Sequence, residues 1–229
     1  MYKDTWPRMN ENINLSIPIS ERKNVYSEVN SVIHFLNKIV PSNYFFSCGT
    51  VLGLIREKKL LDWDTDIDID VLEPTQLIID SIIKNMEALG YGYERKLIAN
   101  KRYSQIVFVK APYHSIDFCF WYKDGNNFIN DLPETNIYKR LHPKKLYTKF
   151  KVLTIKNVAF QVPYDTNSYI EYIYGSDWKI PKKYKNWLKN SNDLSLDTNL
   201  LNLLNKLIWK LNRYFGRVKN YYLRRVHEI

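Results

Sequence analysis

The chain has 229 residues, 45% of them hydrophobic and 25% charged, with a formal net charge of +10. This composition excludes a disordered or fibrous protein, and the length is enough for one large domain or one domain with an appendage. The positive balance points to anionic partners (nucleotides, nucleic acid or acidic lipid) without choosing among them.

The opening residues, MYKDTWPRMNENINL, lack the apolar stretch of a signal peptide. No segment approaches the roughly 20 apolar residues that a membrane-spanning helix needs, so a cytoplasmic protein is expected. Residues 20–40 place Val25, Val29, Val32, Ile33, Leu36 and Val40 at three- and four-residue steps, which predicts an amphipathic helix opened by Ser20 and closed by Pro41. A short apolar strand, 44–48, follows and stops at a small-residue turn, Gly49-Thr50, before a short helix over 50–57. The acidic strand runs from about 64 to 72, and a second helix over 74–89 ends at Gly90.

Residues 91–98, 104–110 and 114–122 read as strands. The segment 150–162 reads as a hairpin turning at Lys156-Asn157, with a short helix after it that ends at Gly175. The order favours an α/β fold, a mixed sheet flanked by helices. The expected organisation is a catalytic domain over 1–188, a polar linker over 189–199 and a basic amphipathic helix over 200–229. The two cysteines, Cys48 and Cys119, lie in apolar surroundings without a CxxC pair, so buried free thiols are expected and structural zinc is not.

The most informative run is GTVLGLIREKKLLDWDTDIDIDV, residues 49–71, in which Asp64, Asp66, Asp68 and Asp70 alternate with Thr65, Ile67 and Ile69. In an extended chain the carboxylates share one face and the isoleucines the other. Like charges in a row repel, and a divalent ion bridging carboxylate oxygens to a substrate phosphate removes the conflict. Backbone amides at Gly49 and Thr50 could approach that phosphate. The alternative is a solvated acidic edge strand. Asp117, between Ile116 and Phe118, would be costly as an unpaired charge. A metal shared with Asp66 and Asp68 relieves that cost, and a salt bridge is the other way to do so. Arg56 could offer a bidentate fork to phosphate or lie on the surface. Trp63 is expected in the core, with base stacking as the alternative.

These residues carry a resemblance. The run closely resembles the LicD family, in which a GT-x-LG-x-x-R segment precedes a W-D-x-D-[IV]-D core. Here those elements are Gly49, Thr50, Leu52, Gly53, Arg56, Trp63, Asp64, Asp66 and Asp68, with a second match at Tyr174, Gly175, Trp178 and Pro181. Thr65 stands where many bacterial members have a third consecutive aspartate, and Asp70 where glycine is common.

The resemblance implies a nucleotidyltransferase-like fold and a transferase that moves a phospho-alcohol, such as phosphocholine or a polyol phosphate, from a CDP-linked donor to a glycan or lipid-linked glycan hydroxyl, releasing CMP. It implies Mg2+ or Mn2+ on Asp66, Asp68 and Asp117, with Gly49, Thr50, Arg56 and Asp64 binding or orienting the substrate. An ordinary nucleotidyltransferase acting on a nucleoside triphosphate would use the same carboxylates, but no RNA-binding module is legible and nucleic acid is not the expected partner. Outside the match, residues 200–229 carry seven basic residues against one acid behind an apolar stripe. Such a helix suits the inner face of an anionic membrane, or packing on the domain or on a second copy.

Overall fold

A computed structural model describes residues 18–110, 114–132, 138–182 and 192–196. The basic segment expected as a helix over 200–229 lies outside them, as does most of the expected linker.

The first helix, α1 (Val25–Ile39), buries Val25, Val29, Val32, Ile33 and Leu36 as their spacing requires. It starts later than expected, and Ser20 does not cap it. Ser20 falls in a 3-10 turn, Ile19–Glu21, while Asn24 precedes the helix in the left-handed region at φ 66°. The earlier residues have another task. The amides of Ile19 and Ser20 donate to the carbonyls of Asp64 and Asp62 at 2.8 and 3.1 Å, which braces the loop leading into the acidic strand.

Three buried aromatics form β1 (Tyr44–Phe46). The chain then enters α2 (Cys48–Arg56) at once, with Cys48 at φ 44°. Gly49 and Thr50 therefore sit in the first turn of a helix instead of a free turn between strand and helix. The acidic strand is β2 (Asp66–Leu72), and α3 (Gln76–Ala88) is capped by the Thr75 hydroxyl accepting from the Ile78 amide at 3.3 Å.

Strands β3 (Gly92–Ala99), β4 (Arg102–Lys110) and β5 (His114–Asp124) fall where the sequence places them. Strands β6 (Asn127–Asp131) and β7 (Tyr138–Pro143) occupy a segment in which the sequence reading placed no elements. The hairpin of β8 (Phe150–Ile155) and β9 (Val158–Pro163) turns at Lys156-Asn157, both with positive φ, as a two-residue hairpin turn requires. Helix α4 (Thr166–Tyr174) ends at Gly175, φ 86°. Part of the expected linker is strand: β10 (Leu194–Leu196) pairs antiparallel with β7.

The main sheet runs β1-β2-β5-β6-β7-β10, with β4 also paired to β5 and β3 to β4. Strand β5 organises it, since its first part lies parallel to β2 and antiparallel to β4 and its last three residues pair with β6. Ile67 and Ile69, on the face of β2 away from the aspartates, are each 1% exposed. Truncating either to alanine costs roughly 2–5 kcal/mol, which is why an otherwise acidic segment stays in the sheet. One continuous apolar core joins α1, the sheet, the hairpin and α4. Among the described residues, no helix is long and apolar enough to cross a membrane.

Candidate active site

In the parallel pair, Asp66 stands opposite Ser115, Asp68 opposite Asp117 and Asp70 opposite Cys119. Paired residues share a sheet face, so the acids of β2 and Asp117 gather on one side. There Asp66, Asp68 and Asp117 line a cavity of about 510 Å³ together with Gly49, Arg56, Trp63, Asp64, Gln105, Asn130, Arg140 and Tyr174.

Helix α2 places its first turn against the carboxylates. The Gly49 amide donates to Asp68 Oδ2 at 3.1 Å, and the Thr50 hydroxyl accepts from the Asp68 amide at 2.9 Å. Thr50 is buried and supports β2 from behind, outside the cavity lining. A Cβ on Gly49 would lie 2.4 Å from Asp64 Oδ2, so glycine lets the two backbones close around the acids.

On the far side Asp117 is 7% exposed. Ser115 Oγ donates to its Oδ1 at 2.9 Å and Gln105 Nε2 to its Oδ2 at 2.8 Å. These neutral partners orient Asp117 without cancelling its charge, so the salt bridge offered as the alternative is not what holds it. Burial, and then the neighbouring Asp66, push its pKa up to about 7. Asp64 is pushed up to about 8 by burial and Asp66, and Asp68 rises well above the carboxylate range through burial and the charges of Asp66, Asp64 and Asp117.

Burial and mutual repulsion thus favour the protonated forms of Asp64, Asp68 and Asp117, a bias that a divalent cation opposes. Among the described residues, no three His, Cys, Asp or Glu side chains are arranged as a ready-made metal cage. The donor set is nonetheless all carboxylate. Magnesium takes one or two carboxylates and completes its shell with water and substrate phosphate, so Asp66 and Asp68 fit that ion.

Arg56 lines the cavity, and each of its three guanidinium nitrogens already has a protein partner. Nε and Nη2 reach Glu57 Oε1 at 3.3 and 3.1 Å, and Nη1 reaches the Trp178 carbonyl at 3.2 Å. Trp63, expected in the core, is 56% exposed on the cavity lining, with the Arg56 guanidinium 5.8 Å from its ring centre. Asp70 is neither solvated nor on the cavity wall. It is fully buried and accepts from Ser47 Oγ at 2.9 Å, and burial pushes its pKa up to about 7 against the pull of Arg140.

Sequence reasoning missed Gln105, Asn130, Arg140 and Asp193, none of which stands in a motif. It also missed Arg22, buried beside the acidic loop and donating to the Thr65 carbonyl. The family model described as LicD/FKTN/FKRP, nucleotidyltransferase domain, matches residues 42–165. The chain belongs to the LicD family. The matched span runs from β1 through β9 and carries every residue expected at the site.

The human ribitol-5-phosphate transferase FKTN is 27% identical to this LicD protein over 158 residues, 68% of this chain and 33% of the relative. An uncharacterised protein of Rickettsia prowazekii is 26% identical over 120 residues, covering 51% and 40% of the two chains. The chain thus spans about a third of the length of the FKTN relatives it matches. A lincomycin-bound structure of the lincosamide antibiotic adenylyltransferase LnuA superimposes with a TM-score of 0.41 at 15% identity, covering 60% of this chain and 78% of the other.

Proposed function

We propose that this LicD protein moves a phospho-alcohol from a CDP-linked donor to a glycan hydroxyl. The acceptor hydroxyl gives its proton to Asp117 or to water, its oxygen forms a bond to the phosphorus that carries the alcohol, the bond from that phosphorus to the CMP oxygen breaks, and CMP leaves. The observation that carries the reading is Asp68 level with Asp117 on adjacent strands, with Asp66 one step along the same face.

Asp66 and Asp68, completed by Asp117, are the residues to hold Mg2+ or Mn2+. When bound, the ion supplies neutralisation of the diphosphate and of the charge growing on the leaving oxygen. Ser115 and Gln105 fix the Asp117 carboxylate, the Gly49 amide fixes that of Asp68, and Asp64 stands ready to orient a ligand or water. Arg56 acts here as a brace that sets the Trp63 indole and the Trp178 backbone on the cavity wall.

A thermal-shift panel of CDP-ribitol, CDP-choline, CDP-glycerol and nucleoside triphosphates, each with and without magnesium, tests the reading. Metal-dependent stabilisation by CDP conjugates alone supports it, and stabilisation by triphosphates alone replaces it with nucleotidyl transfer. The cytoplasmic face of a membrane, reached through residues 200–229, is the proposed place of work.

A further inference from the structure

The cavity has a basic floor that the sequence reading did not foresee. Arg140, on β7, is 7% exposed and lines the same cavity as Asp66, Asp68 and Asp117. Its Nε donates to Asp193 Oδ2 at 2.7 Å and its Nη2 to the Cys48 sulfur at 3.1 Å. The ring of Trp121 lies 5.1 Å from the guanidinium carbon. A guanidinium carries five N–H donors and a thiol is a weak acceptor. Among the described residues Arg140 donates only to Asp193 and Cys48, and Asp70, whose charge also acts on it, makes no ion pair with it. No Arg140 nitrogen is among the described buried atoms left without a partner, and the residue lines the cavity, so a guanidinium held by one carboxylate and one sulfur keeps donors to offer a ligand there.

Asp193 explains how that charge is held. It is 1% exposed, accepts from both Arg140 and His142 Nε2, the latter also at 2.7 Å, and is fixed by the Leu141 amide donating to its carbonyl at 2.9 Å. Asp193 lies beyond the matched residues 42–165, so the chain after the family domain returns to secure the floor of the cavity.

We infer that Arg140 is the cavity's oxyanion-binding residue: positioned by Asp193, its guanidinium takes a phosphate group of the substrate at the floor beside the carboxylates. This inference rests on the phosphotransferase reading and names where that substrate's phosphate is gripped. A planar guanidinium matches two phosphate oxygens at once, whereas an ammonium offers only a point charge. The floor therefore selects a phosphate ester over a neutral sugar. That phosphate comes either from the donor's diphosphate or from a phosphorylated acceptor.

The test is calorimetric titration of inorganic phosphate, without divalent metal, into the full chain and its Arg140→Lys and Asp66→Asn variants. Arg140→Lys keeps the charge beside Asp193 and should weaken phosphate at least about tenfold, the equivalent of one charge-assisted hydrogen bond. Asp66→Asn should bind phosphate as tightly as the wild type or more so, while losing transfer. Transfer retained by Asp66→Asn would overturn the reaction reading while leaving the phosphate result standing, which separates a fault in that reading from a fault in this one. Competition by CDP assigns the floor to the donor. Competition by a sugar phosphate and not by CDP assigns it to the acceptor, and displacement by neither overturns the site. Equal phosphate affinity in wild type and folded Arg140→Lys also overturns it. Should Arg140→Lys not fold, wild-type crystals grown with tungstate give the answer. An anomalous peak against Arg140 supports the site, and peaks elsewhere or none refute it.

Discussion

Asp68 and Asp117 occupy the same rung of the parallel β2–β5 pair, so two carboxylates project side by side from adjacent strands. Each is restrained by its own donors, the Gly49 amide for Asp68 and Ser115 with Gln105 for Asp117. Asp68→Asn and Asp117→Asn should each lower turnover at least about a hundredfold while leaving the fold intact. Because both act on one charge cluster, the double variant should lose far less than the product of the single losses. Turnover per folded molecule, measured at saturating magnesium, checks this, and multiplicative losses would show two independent roles.

The same crowding makes the metal-free protein sensitive to pH. Asp117 and Asp64 have folded pKa values of about 7 and about 8, above the ordinary carboxylate value, through burial and the charge of Asp66. A raised folded pKa means the native state binds the proton more tightly than the unfolded chain. The stability it contributes is complete below about pH 4 and is lost as pH rises through 7 to 8. Denaturant midpoints in chelator should therefore fall between pH 5 and 8, and magnesium should flatten that fall. A midpoint that rises over this range without metal would contradict the carboxylate cluster.

Gly49 is required by proximity, since an added methyl would meet Asp64 Oδ2 at 2.4 Å. Gly49→Ala should fold, because alanine suits a first helical turn better than glycine. It should nonetheless displace Asp64 and the donor to Asp68, and lower turnover by up to about a hundredfold, as a 1 Å misplacement can. Comparison of melting temperature with turnover separates the two effects, and a variant with normal turnover would show that Asp64 has room to move.

Much of this was legible in the sequence because periodicity and turn chemistry were strong. The Asp/Ile alternation of β2, the stripe of α1 and the Lys156-Asn157 turn each follow from local rules. What escaped depends on tertiary pairing. Strand β7 carries Arg140 and His142, polar residues that look like surface until Asp193 arrives 53 residues after Arg140 to pair with the first and hydrogen-bond the second. Strand β10 is only Leu194-Ser195-Leu196 within a polar run and is held by its backbone ladder to β7, an alternation too short to stand out in the sequence. Trp63 was expected inside because indoles are usually buried, yet the Ile19 and Ser20 amides hold the loop ending at Asp64 with that ring facing outward.

An indole this exposed contributes little to stability, so Trp63→Ala should change folding free energy by no more than about 1 kcal/mol, the worth of its exposed contact with Arg56. Its place on the cavity wall predicts a raised KM for one of the two substrates with kcat less affected. Steady-state kinetics with each substrate varied in turn identifies which one. Unchanged KM for both would leave the ring without a role in binding.

The last prediction concerns residues 200–229, which lie outside the described structure and are read from sequence alone. Leu200, Leu204, Leu207, Leu211, Phe215 and Val218 recur at helical spacing, while Lys206, Lys210, Arg213, Arg217, Lys219, Arg224 and Arg225 supply the charge. A basic amphipathic helix of this kind is attracted to anionic headgroups at about 1 kcal/mol per basic residue near the surface, and less as salt rises. The structure sets where a fair truncation must begin. Asp193 secures Arg140, and β10 through Leu196 completes the sheet edge, so a deletion reaching residue 193 would damage the cavity for reasons unrelated to membranes. Deleting 199–229 keeps both. The truncated protein should no longer sediment with phosphatidylserine vesicles that retain the full chain at low salt, yet keep magnesium-dependent stabilisation by a CDP conjugate. If it is insoluble, or loses donor binding as well, the helix packs on the catalytic domain and the membrane reading fails.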